Sequence, residues 1–144
     1  MMKRILILDD DTAVLDVLQQ LLEYEGFESF IINETDDLIS LVRICHPTLI
    51  LLDFALHGQN GGDWCVQLKS TREFAAIPVI IYTAYSNKGI QKGTYGCDDF
   101  IAKPFDIDDL ITRITSLINV IPIEHFTKTD AHLKVEVNQT LRLL

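Results

Sequence analysis

Three consecutive aspartates (Asp9-Asp10-Asp11), a fourth at Asp53, a hydroxyl at Thr83 and an amine at Lys103 are the side chains best suited to chemistry. Clustered carboxylates repel one another, so a site that keeps several ionised needs a cation. Hard oxygen ligands from Asp9, Asp10 and Asp53, with positions left for water, suit Mg²⁺, which keeps several waters when protein-bound. An aspartate pair after a strand also has an ordinary use as a turn or helix cap. For Asp11-Thr12 that ordinary reading holds, and one of the two is expected to cap the first helix. Asp53 follows four aliphatic residues and stands at the mouth of a strand. A carboxylate beside Mg²⁺ can attack a phosphoryl group and give an acyl phosphate. The metal, a lysine and a hydroxyl would then neutralise charge on the transferring oxygens, and Lys103 and Thr83 supply the last two. Singly, a lysine before proline is usually a surface residue and a threonine ending a strand is usually only strand. Together they point to phosphoryl chemistry.

These residues need elements that bring them to one place. Short apolar runs alternate with segments of helical period along the chain. Ile5-Leu6-Ile7-Leu8, Leu49-Ile50-Leu51-Leu52 and Val79-Ile80-Ile81-Tyr82 are continuous enough for strands buried on both faces, and 27–32 and Phe100-Ile101-Ala102 complete five. Helices are predicted over 12–25, 35–45, 62–69 and 106–120, with Gly26, Pro47 and Pro122 as stops. Strands alternating with helices imply right-handed crossovers and a parallel sheet covered on both faces. In such a sheet ligands bind beyond the carboxyl ends of the strands, where Asp9, Asp53, Thr83 and Lys103 all fall. The stretch between Thr83 and Phe100 should hold a further helix, fourth in chain order. Gly89, Gly93 and Gly96, each costing about 1 kcal/mol against alanine, predict a short or broken one.

The chain has 144 residues, 48% of them hydrophobic and 23% charged, enough for one domain with a core and a short appendage. Its net charge of −9 makes nucleic acid a poor first partner. No apolar run approaches the roughly 20 residues of a membrane-crossing helix, and the basic start lacks the longer greasy segment of a secretory signal. Cys45, Cys65 and Cys97 are widely spaced and read as reduced, buried thiols of a cytoplasmic protein. Residues 1–121 form the expected domain. Residues 122–144 form an extension of unassigned role.

Asp9-Asp10, Asp53, Thr83-Ala84 after Pro78-Val79-Ile80-Ile81-Tyr82, and Gly96-Cys97-Asp98-Asp99-Phe100-Ile101-Ala102-Lys103-Pro104-Phe105 resemble the receiver domain of bacterial two-component response regulators. The resemblance covers about residues 3 to 121. It implies a doubly wound, flavodoxin-like α/β fold with a five-stranded parallel sheet of order 2-1-3-4-5. By resemblance Asp53 is the phosphoacceptor, and Asp9 and Asp10 hold Mg²⁺ together with Asp53 and the Ala55 carbonyl. Thr83 is the switch hydroxyl, Phe100 the switch aromatic, and Lys103 the base that contacts the phosphoryl group. The Lys103–Pro104 peptide would be cis, which only an X–Pro bond adopts cheaply. Gly61 matches the glycine that follows the acceptor by eight residues. The implied donor is a phosphohistidine on a sensor kinase or phosphotransfer protein. The implied output is altered binding of a downstream protein, without catalysis of a separate substrate and without direct contact to nucleic acid or membrane.

Three departures qualify the resemblance. His57 stands where the family usually has proline. The stretch from Thr83 to Gly96 is short and glycine-rich, which weakens any homodimer expected through that helix face. Ala55 and Tyr85 flank the site without an amide or acid to orient water, so a long-lived phosphorylated form is expected. Two rival readings stand beside the main one. One is a receiver-like interaction module that is never phosphorylated. The other is a haloacid-dehalogenase-type phosphohydrolase with Asp9 as nucleophile, since Asp9-Asp10-Asp11-Thr12-Ala13 resembles its motif with Ala13 out of pattern. The location of the nucleophile, strand one or strand three, separates the hydrolase from the receiver.

Overall fold

The aliphatic runs become strands because their residues are apolar on both faces and find a helix layer on each side. The computed structural model describes residues 2–84 and 93–118. Five strands, β1 (Arg4–Leu8), β2 (Glu28–Ile32), β3 (Leu49–Asp53), β4 (Val79–Thr83) and β5 (Asp99–Ala102), form one sheet. All neighbours pair in parallel, in the order β2-β1-β3-β4-β5. The expected order is the observed one.

Four helices are described: α1 (Thr12–Tyr24), α2 (Leu38–Cys45), α3 (Gly61–Ser70) and α4 (Ile107–Ile118). On one face Ile5, Ile7, Leu49, Leu51, Ile80 and Tyr82 pack against Val14, Leu18 and Leu22 of α1 and Leu110 and Ile114 of α4. On the other, Leu6, Leu8, Ile50, Leu52, Val79 and Ile81 meet Leu38 and Val42 of α2 and Trp64, Cys65 and Leu68 of α3. Each fully buried aliphatic contributes about 1.5–3 kcal/mol, so β1 and β3 anchor the sheet and hold their tips in place.

Helix starts follow their caps. The Asp11 carboxylate accepts from the Ala13 and Val14 amides at 2.9 and 3.4 Å and starts α1, as the sequence predicts. The second helix begins at Leu38 rather than at residue 35, because the Asp37 carboxylate accepts from the Ser40 amide at 3.0 Å and fixes the first turn there. The segment 85–92, which carries most of the helix predicted between β4 and β5, lies outside the described residues, as do 119–144. Just before β5 the chain makes a single 3₁₀ turn, Thr94–Gly96, in which Tyr95 takes a left-handed φ of 58°. The three thiols are free; Cys65 and Cys97 are buried, Cys45 partly so. Burial pushes the Cys65 thiol up to about 12, helped by the neighbouring Cys97, so it stays protonated and unreactive.

Candidate functional site at the strand tips

Parallel pairing lines up the carboxyl ends of β1, β3 and β4. Leu8 is opposite Leu52, and Asp53 is opposite Tyr82. Asp9 therefore follows β1 at the level of Asp53, one strand away. Side chains alternate faces along a strand, so Asp53 and Tyr82 lie on the α1/α4 side of the sheet, while Thr83 lies on the α2/α3 side. Phe100 lies on that side too and packs partly buried against its core.

Asp9 is buried, with 1% of its surface exposed, and both of its carboxylate oxygens accept hydrogen bonds. Its Oδ1 accepts from the Asp11 amide at 2.9 Å. Its Oδ2 accepts from the Tyr82 hydroxyl at 2.8 Å and faces Lys103 Nζ at 3.4 Å. Asp53 is buried as well, and its Oδ1 accepts from the Ala55 amide at 3.3 Å. Its pKa rises from 3.8 to about 6, first because burial penalises the charged form and then because Asp9 carries like charge beside it. Lys103 opposes that rise without cancelling it.

Lys103 follows β5 and is held by its backbone, whose amide donates to the Thr83 carbonyl at 2.7 Å. Its peptide to Pro104 is cis, as the resemblance implies. Its ammonium lies 4.8 Å from the centre of the Tyr82 ring. Thr83 is fully buried at the end of β4. Arg113 of α4 binds the Asp99 carboxylate at 2.8 Å and the Phe100 carbonyl at 3.2 Å, which ties the start of β5 to the helix layer.

Asp10 takes a different position from Asp9. It sits on the rim, 24% exposed, and its Oδ2 accepts from the His57 amide at 2.8 Å. A proline at 57 has no N–H to give, so the departure noted in the sequence supplies the donor that holds Asp10. The structure thus brings Asp9, Asp53 and Lys103 together, with Thr83 at the neighbouring strand end and Asp10 latched to the loop after β3. Among the described residues no three acidic, histidine or cysteine side chains are already clustered for a metal. The Asp9–Asp53 pair nonetheless fits a hard divalent cation. It is all oxygen, buried, and carries more negative charge than one lysine offsets.

Gly61 shapes the loop behind the acceptor strand. A methyl group there would collide with the Asp53 carbonyl and the Phe54 backbone, and the Gly61 amide donates to the Phe54 carbonyl at 3.0 Å. At Gly62 the missing side chain is replaced by the Tyr95 ring, whose atoms lie 2.8 Å from where a Cβ would stand. Sequence reasoning did not identify Tyr82 as part of the site, because a tyrosine closing an aliphatic run reads as core. Register was the available signal, since it sets Tyr82 level with Asp53.

Comparison with known proteins identifies the family of this fold. The profile of the response regulator receiver domain matches residues 5–115. The DNA-binding response regulator MtrA of Mycolicibacterium paratuberculosis is 30% identical over 150 aligned positions, covering 99% of this chain and 64% of that protein. The DNA-binding dual master transcriptional regulator RpaA of Synechocystis is 34% identical over 122 positions, covering 81% of this chain and 49% of that one. The chain thus spans less than two thirds of the length of these relatives. A CheY-like response regulator receiver domain from Methanospirillum hungatei superposes with a TM-score of 0.75 at 30% identity, over 83% of this chain and 95% of the other. Strand order, acidic tip and family profile agree: this chain belongs to the response regulator receiver domain family of two-component signalling proteins.

Proposed function

We propose that the chain is a phosphorylation-driven signalling switch whose acceptor is Asp53. The observation that carries this reading is a buried carboxyl at the tip of the central strand, flanked by Asp9 and facing the Lys103 ammonium. Receiver domains bind Mg²⁺ at an acidic pocket, and here Asp9, Asp10, Asp53 and the Ala55 carbonyl would hold it. The ion would supply charge neutralisation for the transferring phosphoryl oxygens. Asp53 attacks phosphorus as the carboxylate; the new O–P bond forms as the donor's N–P bond breaks, and the donor imidazole leaves. Lys103 shifts from Asp9 toward the phosphoryl oxygens, and Thr83 donates its hydroxyl to one of them. Phe100, on the same face as Thr83, follows into the space released. A local charge change thereby reshapes the surface around β4 and β5.

The donor in this reading is a sensor histidine kinase or a histidine phosphotransfer protein. The output is contact with a downstream protein. MtrA and RpaA are described as DNA-binding, but 21 acidic against 12 basic residues give this chain little to offer a phosphate backbone. We assign DNA contact, where it exists, to sequence outside the receiver segment. The hydrolase alternative is disfavoured because the family profile that matches residues 5–115 is that of the receiver domain. The latch between Asp10 and His57 is the one feature that favours a receiver used without phosphorylation. Intact mass after incubation with acetyl phosphate and Mg²⁺ decides between them. The wild type should gain one phosphoryl group and Asp53→Asn none. An unlabelled wild type, or a labelled Asn variant, would remove Asp53 from the role. With Ala55 beside the acceptor, the label should persist for minutes or longer; Tyr85, the other flanking residue, lies outside the described residues.

A further inference from the structure

A buried tyrosine with its hydroxyl on a buried carboxylate needs explaining, because phenylalanine would fill the same core. Tyr82 is 1% exposed, and its ring packs among Ile80, Phe105 and the α1/α4 core. Its edge meets the Phe105 ring at a centroid distance of 6.0 Å and an angle of 79°, and Lys103 lies 4.8 Å from its ring centre. The ring therefore has little room to turn. From that fixed position its hydroxyl donates to Asp9 Oδ2 at 2.8 Å, reaching past the tip of β3. The other Asp9 oxygen is held by the Asp11 amide. Asp9 thus has its plane set chiefly by these two short hydrogen bonds, with the Lys103 ammonium farther off at 3.4 Å from Oδ2, and the Tyr82 donor is one that the aliphatic residues elsewhere in β4 could not replace.

We propose that Tyr82 is a positioning residue for the divalent cation. Its hydroxyl fixes the orientation of Asp9, so that the acidic pair is set before the ion arrives. The inference rests on the Mg²⁺-dependent reading of the site and adds to it a residue outside the ligand set. Donors that orient a metal-binding carboxylate typically affect affinity by about 10- to 100-fold when removed. The lower figure suits Tyr82, because the Asp11 amide and the Lys103 ammonium would remain.

Calorimetric titration of Mg²⁺ into the wild type, Tyr82→Phe, Asp9→Ala and the double variant tests this without any phosphoryl transfer. Tyr82→Phe should weaken Mg²⁺ binding about tenfold. In the Asp9→Ala background the same substitution should change affinity by less than about twofold, since the hydroxyl would no longer have its target. Melting in EDTA gives the fold check, because the ring, and with it the packing, is retained. Wild-type affinity in Tyr82→Phe would overturn the proposal, as would an equal loss in both backgrounds or a wild type that binds no Mg²⁺. Failure of acetyl phosphate to label a protein that still binds Mg²⁺ would count against the Asp53 assignment alone.

Discussion

Replacing Asp53 with asparagine should stabilise the domain, and the gain should grow as pH rises. Burial and the charge of Asp9 raise the Asp53 pKa from 3.8 to about 6. Between those values the folded protein binds more protons than the unfolded chain. Stability from this group is therefore complete below about pH 4 and is lost as pH rises through about 6. Each factor of ten in proton affinity corresponds to about 1.4 kcal/mol, so the loss reaches about 3 kcal/mol at neutral pH as an upper bound. Asparagine has nearly the same shape and never ionises, so it avoids that loss. Urea unfolding of both proteins in EDTA should give a stability difference that widens by about 1.4 kcal/mol between about pH 5 and pH 8. For a domain this size that is about 5 °C in melting temperature. Mg²⁺ should narrow the gap by stabilising the wild type. A difference that stays flat with pH in EDTA would refute the electrostatic account, because Asp53 would then ionise without penalty.

Three further substitutions probe the frame of the site. Gly61→Ala places a methyl group against the Asp53 carbonyl and should cost about 1–3 kcal/mol in chemical unfolding; an unchanged midpoint would show that the β3–α3 loop yields freely. Lys69→Met should cost about 2 kcal/mol, because Lys69 Nζ donates to the Ile77 carbonyl at 2.8 Å and to Asp98 at 2.7 Å, closing the loop before β4. His57→Ala should leave Mg²⁺ affinity within about twofold, since Asp10 is held by the backbone amide while the imidazole is 94% exposed and 3.6 Å away. A larger change by calorimetry would assign the latch to the ring instead.

Features that depend on local pattern could be read in advance. Ile5-Leu6-Ile7-Leu8 and Leu49-Ile50-Leu51-Leu52 carry their own burial, and a strand buried on both faces has few other readings. Asp9 and Asp53 were legible because a charge directly after such a run must stand at its mouth. Contacts across the sequence were not. Tyr82 and Asp9 are 73 residues apart, and Lys69 and Asp98 are 29 apart. Nothing local in either pair announces a partner. Asp10 shows a subtler gap. Its residue type suggested a ligand, but its hydrogen bond depends on whether residue 57 has an amide proton, which matters only once the two loops meet. The second helix start was missed by three residues because Thr35 and Asp37 are both good caps. The Asp37 carboxylate, with Ser40 Oγ at 2.6 Å and its amide at 3.0 Å, wins.

The glycine at 62 ties distant parts of the fold together mechanically. Tyr95 occupies the volume a side chain would take there, and its ring lies 5.8 Å from that of Phe54, the residue after Asp53. Three segments far apart in sequence therefore meet around one ring: the exit of the middle strand, the first turn of α3 and the turn before β5. A side chain at 62 would therefore have to displace Tyr95, and with it the turn before β5, as well as fit its own helix.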